Sequence, residues 1–204
     1  SLRTGITLAA SDPVSGGTAS GVESVEYRID AEPFLVYTSS FSLAEGVRTV
    51  AHRAHDKAGN AEALKSAVFH VDATPPVTAF SVGGARHDAD GLIYITKDSA
   101  LLLAAADPVS KEVASGVLLT RYRVDGGAWM IYAGSFTITP EGRHTLEYLS
   151  LDRVNNTEAV KTAELVVDNT PPEASAGLAG TSGENGWHIS TVTVSLSAED
   201  ALSG

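Results

Sequence analysis

Tyr122-Arg123-Val124-Asp125-Gly126-Gly127-Ala128-Trp129-Met130-Ile131-Tyr132 is the stretch that decides the fold. Two runs rich in apolar and aromatic residues flank Asp-Gly-Gly, and Asp and Gly accept the positive φ angles that a tight hairpin turn demands. Outward from this hairpin, short β-rich runs separated by turn residues predict strands near 77–82, 92–96, 99–106, 117–125, 128–133, 135–138, 143–151 and 160–167. That spacing suits an all-β sandwich.

The surrounding sequence occurs twice and begins a third time. Asp12-Pro13-Val14-Ser15 returns as Asp107-Pro108-Val109-Ser110, Ala19-Ser20-Gly21-Val22 as Ala114-Ser115-Gly116-Val117, and Tyr27-Arg28-Ile29-Asp30 as Tyr122-Arg123-Val124-Asp125. Val71-Asp72-Ala73-Thr74-Pro75-Pro76 returns as Val167-Asp168-Asn169-Thr170-Pro171-Pro172. The offset is 95 early and 96 late, which places one inserted residue between Phe136 and Glu141. A period of that length is a small domain per copy, far longer than a solenoid unit. Thr-Pro-Pro cannot continue a ladder and stiffens an extended path, so it marks the joints. The expected domains are 1–72, lacking its first strand, 73–168, complete, and 169–204, the first strands of a third.

Composition narrows the class. Hydrophobic residues make up 43% of the 204, mostly aliphatic, enough for thin cores between two sheets. The net charge of −11 and the lack of any Lys/Arg cluster exclude a nucleic-acid surface. No apolar run approaches the roughly 18 residues of a membrane span, and no signal peptide opens this stretch. With no Cys there are neither disulfides nor thiolate metal sites.

Strand alternation sets the faces. Leu146, Tyr148, Ser150 and Asp152 share one face, matched by Val50, His52, Ala54 and Asp56, and this set is expected inward. Leu149 and Leu151 on the other face blur the pattern. Lys57-Ala58-Gly59-Asn60 and Arg153-Val154-Asn155-Asn156 form the last hairpin of each copy, with Asn standing where Gly serves at a left-handed position. Asp30-Ala31-Glu32-Pro33 replaces Asp125-Gly126-Gly127-Ala128, so the first copy's turn is expected to differ.

This combination resembles bacterial immunoglobulin-like repeats of extracellular multidomain proteins, the type found in a leptospiral outer-surface family and in appendages of secreted glycosidases. The residues that carry it are Ser115-Gly116-Val117, Tyr122 through Trp129, Tyr132, Glu141-Gly142-Arg143-His144-Thr145-Leu146, Asp152 through Asn156, and Asp168 through Pro172. The resemblance implies tandem immunoglobulin-like β-sandwich domains joined by short Thr-Pro-Pro linkers, at a cell surface or outside the cell. Such domains serve as spacers in some proteins and as adhesive modules in others.

Candidate chemistry is sparse. His52 and His55 are three apart in an expected strand and point to opposite faces, which makes them poor joint metal ligands. No nucleophile elbow, phosphate loop or His-Glu-x-x-His pattern occurs, and the chain reads as no enzyme. Calcium is the candidate cation, because Asp12 and Asp107 at a strand end, Asp56 and Asp152 at the last hairpin, and Asp72 and Asp168 at the joints offer hard oxygen ligands. Turn capping by the same side chains is the competing role. Trp129 and Tyr132, with Phe34 and Tyr37 in the first copy, are the candidate platform for a surface glycan, although a spacing of three sends them to opposite faces and core packing with Phe41 and Phe136 competes. Asn155-Asn156-Thr157 matches a glycosylation acceptor, a short pattern of low specificity.

The stretch opens at an expected second strand, Gly5–Asp12, and stops at Ser203-Gly204, before the apolar strand that follows Gly116 in the second copy. A window on a longer tandem array accounts for this. A homopolymer formed by strand addition between subunits is the rival account. The functional expectation is a stalk, spacer, or fibre or adhesin component whose partners are neighbouring repeats and, outside the chain, a surface glycan or host protein. The alternative is a noncatalytic carbohydrate-binding or adhesive accessory module of an extracellular enzyme.

Overall fold

The structure is a computed structural model that describes residues 5–202, and among them there is no helix, so none is long and apolar enough to cross a membrane. The strands are β1 (Val22–Ile29), β2 (Leu35–Val36), β3 (Gly46–Asp56), β4 (Lys65–Val71), β5 (Val77–Gly83), β6 (Arg86–Ala89), β7 (Leu92–Ile95), β8 (Ala100–Ala106), β9 (Val117–Val124), β10 (Met130–Ile131), β11 (Gly142–Asp152), β12 (Lys161–Val167), β13 (Glu173–Ala179) and β14 (Thr193–Glu199). They form four sheets, ordered β2-β1-β3-β4, β10-β9-β11-β12-β7-β6, β5-β8 and β13-β14. The protein is all-β, its sheets packed on a buried apolar core. Two compact units divide it: the chain up to Thr78 with Ala105–Thr120 and Ser150–Ala159, and Ala79–Ala104 with Arg121–Leu149 and the chain from Val160 onward.

In the first unit, β1 and β3 pair antiparallel from Val22↔Asp56 to Ile29↔Val50, with a bulge between Val22 and Ser24. Asp30 holds φ 54° at the following turn, as Asp125 does at 52°, but only the second repeat adds a positive φ at the next residue, 67° at Gly126. The expected difference between the two turns is therefore one residue wide. Tyr27 stacks on Phe41 at 4.0 Å and meets Tyr37 edge-on at 6.3 Å, an aromatic knot that closes over the ends of β1 and β2. The expected strand at Gly5–Asp12 is not formed as a strand. Its single ladder contact is Ile6↔Phe41, because a strand exists only where a neighbour supplies the rest of its hydrogen bonds.

The second unit holds the apolar core. Leu101, Leu146, Leu165 and Val167 are fully buried, joined by Ile95, Leu103, Ile138 and Tyr148, with Phe80, Val82 and Ile93 packed against them. Each fully buried Leu contributes about 1.5–3 kcal/mol relative to an exposed one. The inner rows of β5 and β8 meet those of β11 and β12 here, and β12 also pairs in parallel with β7 through Leu165↔Ile93 and Val167↔Ile95. Three expectations are corrected. The run at 135–138 is no strand, since Phe136 makes only a bridge to Leu101. The run at 128–133 shrinks to β10, a two-residue edge. Arg86–Ala89 forms β6, whose polar sequence gave no alternation to read; Asp90 and Gly91 at φ 52° and 78° turn it back onto β7.

β13 and β14 pair in full register, Ala174↔Ala198, Ala176↔Leu196 and Leu178↔Val194. These six apolar residues share one face, and Glu173, Ser175, Ser195, Ser197 and Glu199 lie on the other. The apolar face is exposed, Leu196 at 80%. Ser203 and Gly204, expected to repeat Ser115-Gly116, lie outside the described residues.

Candidate functional site

An aspartate closes the last hairpin of each repeat, and the local sequence explains why. Asp152 Oδ1 accepts hydrogen bonds from the N–H groups of Val154 (2.9 Å) and Asn156 (2.7 Å), and Oδ2 accepts from Asn156 Nδ2 at 2.7 Å. Asn155 completes the turn at φ 65°, where the first repeat uses Gly59 at 87°. Asp56 repeats the arrangement with Ala58 and Asn60, and the Asn60 amides hold its carboxyl below the usual carboxylate range.

A second aspartate anchors the strand-end loop. Asp107 Oδ2 accepts the Gly116 N–H at 2.6 Å, and Asp12 Oδ2 accepts the Gly21 N–H at 2.7 Å. Both glycines hold φ 85°, a conformation that only glycine adopts without strain. The third aspartate precedes the Thr-Pro-Pro segment at 74–76. Asp72 Oδ2 accepts the Ser115 N–H at 2.6 Å and Oδ1 the Thr74 N–H at 3.1 Å, while Asn156 Nδ2 donates to the Asp72 carbonyl at 3.1 Å. Burial pushes the Asp72 carboxyl up, but the bonds from Ser115 and Thr74 outweigh it and hold the group below its ordinary value.

The fold thus brings three residues distant in sequence together: one carboxylate oxygen each from Asp72, Asp107 and Asp152 lies within 4.8 Å of the others. Asp152 is fully buried, and Asp107 Oδ1 is buried with no hydrogen-bond partner. Among the described residues no Lys or Arg forms an ion pair with the three. Oxygen-only donors at such separations match the chemistry of a hard divalent cation. Asp168 stands apart from this cluster; its Oδ1 accepts the Thr170 N–H at 3.1 Å, as Asp72 does from Thr74.

A glutamate that sequence reading passed over bonds the threonine of each Thr-Pro-Pro segment. Glu45 Oε1 accepts from the Thr74 hydroxyl at 2.5 Å and Oε2 from the Ser110 hydroxyl at 3.1 Å, with Lys111 Nζ at 3.9 Å. The Thr74 bond is the main cause that holds Glu45 below its ordinary pKa. Glu141 accepts from the Thr170 hydroxyl at 2.7 Å in the same way. The signal was present in the repeated Glu-Gly at 45–46 and 141–142.

The two aromatic candidates part company. Tyr132 packs against the core, edge-on to Tyr122 and Phe136. Trp129 lies under the Arg123 guanidinium, 4.7 Å from the ring centroid, and Glu147 grips Arg123 with two bonds of 2.7 and 2.8 Å. In the first repeat Arg28 and Arg53 flank Phe34. His52 and His55 pair across the ladder with Tyr27 and Ser24, and His55 sits 3.3 Å from Glu26.

No protein-family model matches the chain, and no curated protein matches it. Among solved structures, the chain is similar to the fibronectin(III)-like modules of Clostridium thermocellum CbhA, at 13% identity over 80% of this chain and 83% of that one, with a TM-score of 0.36.

Proposed function

We propose that this chain is a run of immunoglobulin-like repeats, divided at 72/73 and 168/169, from a bacterial cell-surface or secreted protein, and that its work is mechanical: spacing or projecting what it carries as part of a stalk, fibre or adhesin. The observation that carries the reading is the joint built twice, Asp72-Thr74-Glu45 and Asp168-Thr170-Glu141, each leading into a diproline. Repetition of a joint serves a chain whose spacing matters. Force spectroscopy tests it: each repeat of about 95 residues releases about 30 nm of contour length on unfolding, in discrete steps. The accessory-module alternative replaces it if the protein is retained by a polysaccharide and Trp129→Ala abolishes retention.

A second reading concerns a cation. The gathering of Asp72, Asp107 and Asp152, with Asp107 Oδ1 unpartnered, supports calcium as a stiffener of this joint. Calcium at a hundred times its Kd adds about 2.7 kcal/mol of stability, so melting in millimolar calcium is expected several degrees higher than in chelator, with the gain lost in Asp107→Asn. An unchanged melting curve leaves the three carboxylates with their turn-capping roles alone.

A further inference from the structure

Arg28 and Arg123 hold equivalent places in the two repeats and keep different company. Arg123 lies over the Trp129 ring at 4.7 Å and gives Nε and Nη2 to Glu147. Arg28 lies over Phe34 at 4.9 Å, the same stacking on the residue that replaces Trp129. Its carboxylate is gone: Ala51, the β3 residue opposite Arg28, stands where the second repeat has Glu147. Arg28 Nε is buried with no hydrogen-bond partner, and among the described residues no acid forms an ion pair with this guanidinium. A charged donor left unmet destabilises the fold, and the second repeat shows that a carboxylate held by two bonds is what meets it.

A second guanidinium converges on the same ring. Arg53 lies 5.1 Å from the Phe34 centroid, and its Nε donates to Glu26 Oε1 at 2.5 Å, an oxygen that also sits 3.3 Å from His55 Nε2. Glu26, Arg28, Ala51, Arg53 and His55 share the face of β1 and β3 opposite Tyr27 and His52. Two arginines and a histidine thus surround one glutamate in a chain whose net charge is −11, a local reversal of sign that draws anions. Glu26 and Arg28 are two residues apart on one strand, roughly 6.6 Å along it, a span that one sugar ring bridges. We propose that this patch binds a sugar acid, whose carboxylate pairs with Arg28 and whose ring hydroxyls lie between Glu26 and Arg53. Glu26 decides among the anions that the patch draws: it accepts the O–H groups of a uronate, and it repels the successive carboxylates of an acidic peptide, which brings no hydroxyl. The site stands whether or not the repeats act as a spacer.

The test is an NMR titration of the intact 204-residue protein with trigalacturonate, with neutral galactotriose and with triglutamate. Saturable shifts at Arg28, Phe34 and Arg53 are expected with millimolar trigalacturonate, weakening as salt is added, and the other two probes bind at least about tenfold more weakly. Ala51→Glu restores the carboxylate of the second repeat and weakens binding by about tenfold, because Arg28 is then occupied from within. Arg28→Gln gives a similar loss by removing the cation, while Ala51→Gln, of the same size as the glutamate and uncharged, keeps most of the affinity. No saturable shift at Arg28, or shifts that survive both Ala51→Glu and Arg28→Gln, overturn the site. Equal losses in Ala51→Glu and Ala51→Gln overturn the pairing with Arg28. Galactotriose bound as tightly as trigalacturonate overturns the carboxylate as the recognised group, and triglutamate bound as tightly overturns the sugar.

Discussion

The two repeats carry the same aromatic knot over unequal interiors. Tyr27 on Phe41 and Tyr122 on Phe136 stack at 4.0 and 3.9 Å, and Tyr37 and Tyr132 meet them with nearly identical edge geometry. Below the knot the likeness ends. Leu165 and Val167 of β12 are fully buried, whereas their counterparts Phe69 and Val71 of β4 are half-exposed. In the second repeat β12 has β7 on its outer edge; among the described residues β4 is itself the edge of its sheet. The knot closes within a short stretch of chain, while the deeper face needs strands from elsewhere in the repeat. Local sequence therefore builds the knot in both, and only a full set of strands builds the core.

The largest test of that contrast is truncation of paired core positions. Leu165→Ala is expected to cost about 2–5 kcal/mol, since it empties a fully enclosed site, and Phe69→Ala distinctly less despite the larger side chain removed. Urea denaturation followed by residue-specific probes in each unit separates the two, because a chain with two compact units need not unfold in one step. Equal losses would mean that β4 is covered as well as β12.

A smaller effect distinguishes the paired glutamates. Glu158→Gln disturbs a buried network in which Thr78 and Ser150 both donate to the carboxylate, with an expected cost of about 1–3 kcal/mol. Glu62→Gln should leave stability unchanged within error, because its ion pair with Lys65 lies at the surface. A matching loss at Glu62 would place it in a buried network of its own rather than in a surface ion pair.

The smallest effect is a pH dependence confined to one hairpin. Burial disfavours the charged form of His144, but its bonds to Asp125 Oδ2 at 2.7 Å and to the Pro140 carbonyl at 2.9 Å outweigh this and raise its pKa. Asp125 is held low, chiefly by His144. The histidine's contribution is present in full below the unfolded value of about 6.5 and is lost as pH rises through the raised folded value; the aspartate's is lost only as pH falls through its depressed one. Arg48 takes the place of His144 in the first repeat, bonding Asp30 at 3.1 Å. Melting of the second repeat should weaken by under about 1 kcal/mol from pH 6 to 9, and His144→Arg should remove the slope. A slope that survives the substitution would place the titrating group elsewhere.

Much of this was legible in the chain. Asp125-Gly126 and Asn155 announced left-handed turns because so few residues tolerate them, and the alternation through Leu146, Tyr148, Ser150 and Asp152 gave the buried row of β11. β6 was not legible, because a polar two-faced edge leaves no period. Glu45 and Glu141 hid among ordinary surface acids, because only the fold brings Thr74 and Thr170 to them.

By itself the sequence determined the repeat, the turns and the inward row of β11, since each follows from backbone sterics or from side-chain period within a few residues; in β3 only Val50 of the expected row Val50, His52, Ala54 and Asp56 is buried, and Ala51 of the opposite face is buried with it. Only the tertiary structure decided which extended runs became strands: Ala100–Ala106 is one because β5 lies beside it, and its copy at Gly5–Ser11 is not. It alone also brought Asp72, Asp107 and Asp152 to one point. Strand pairing and the meeting of distant side chains are properties of two segments at once, and no single segment encodes its partner's position.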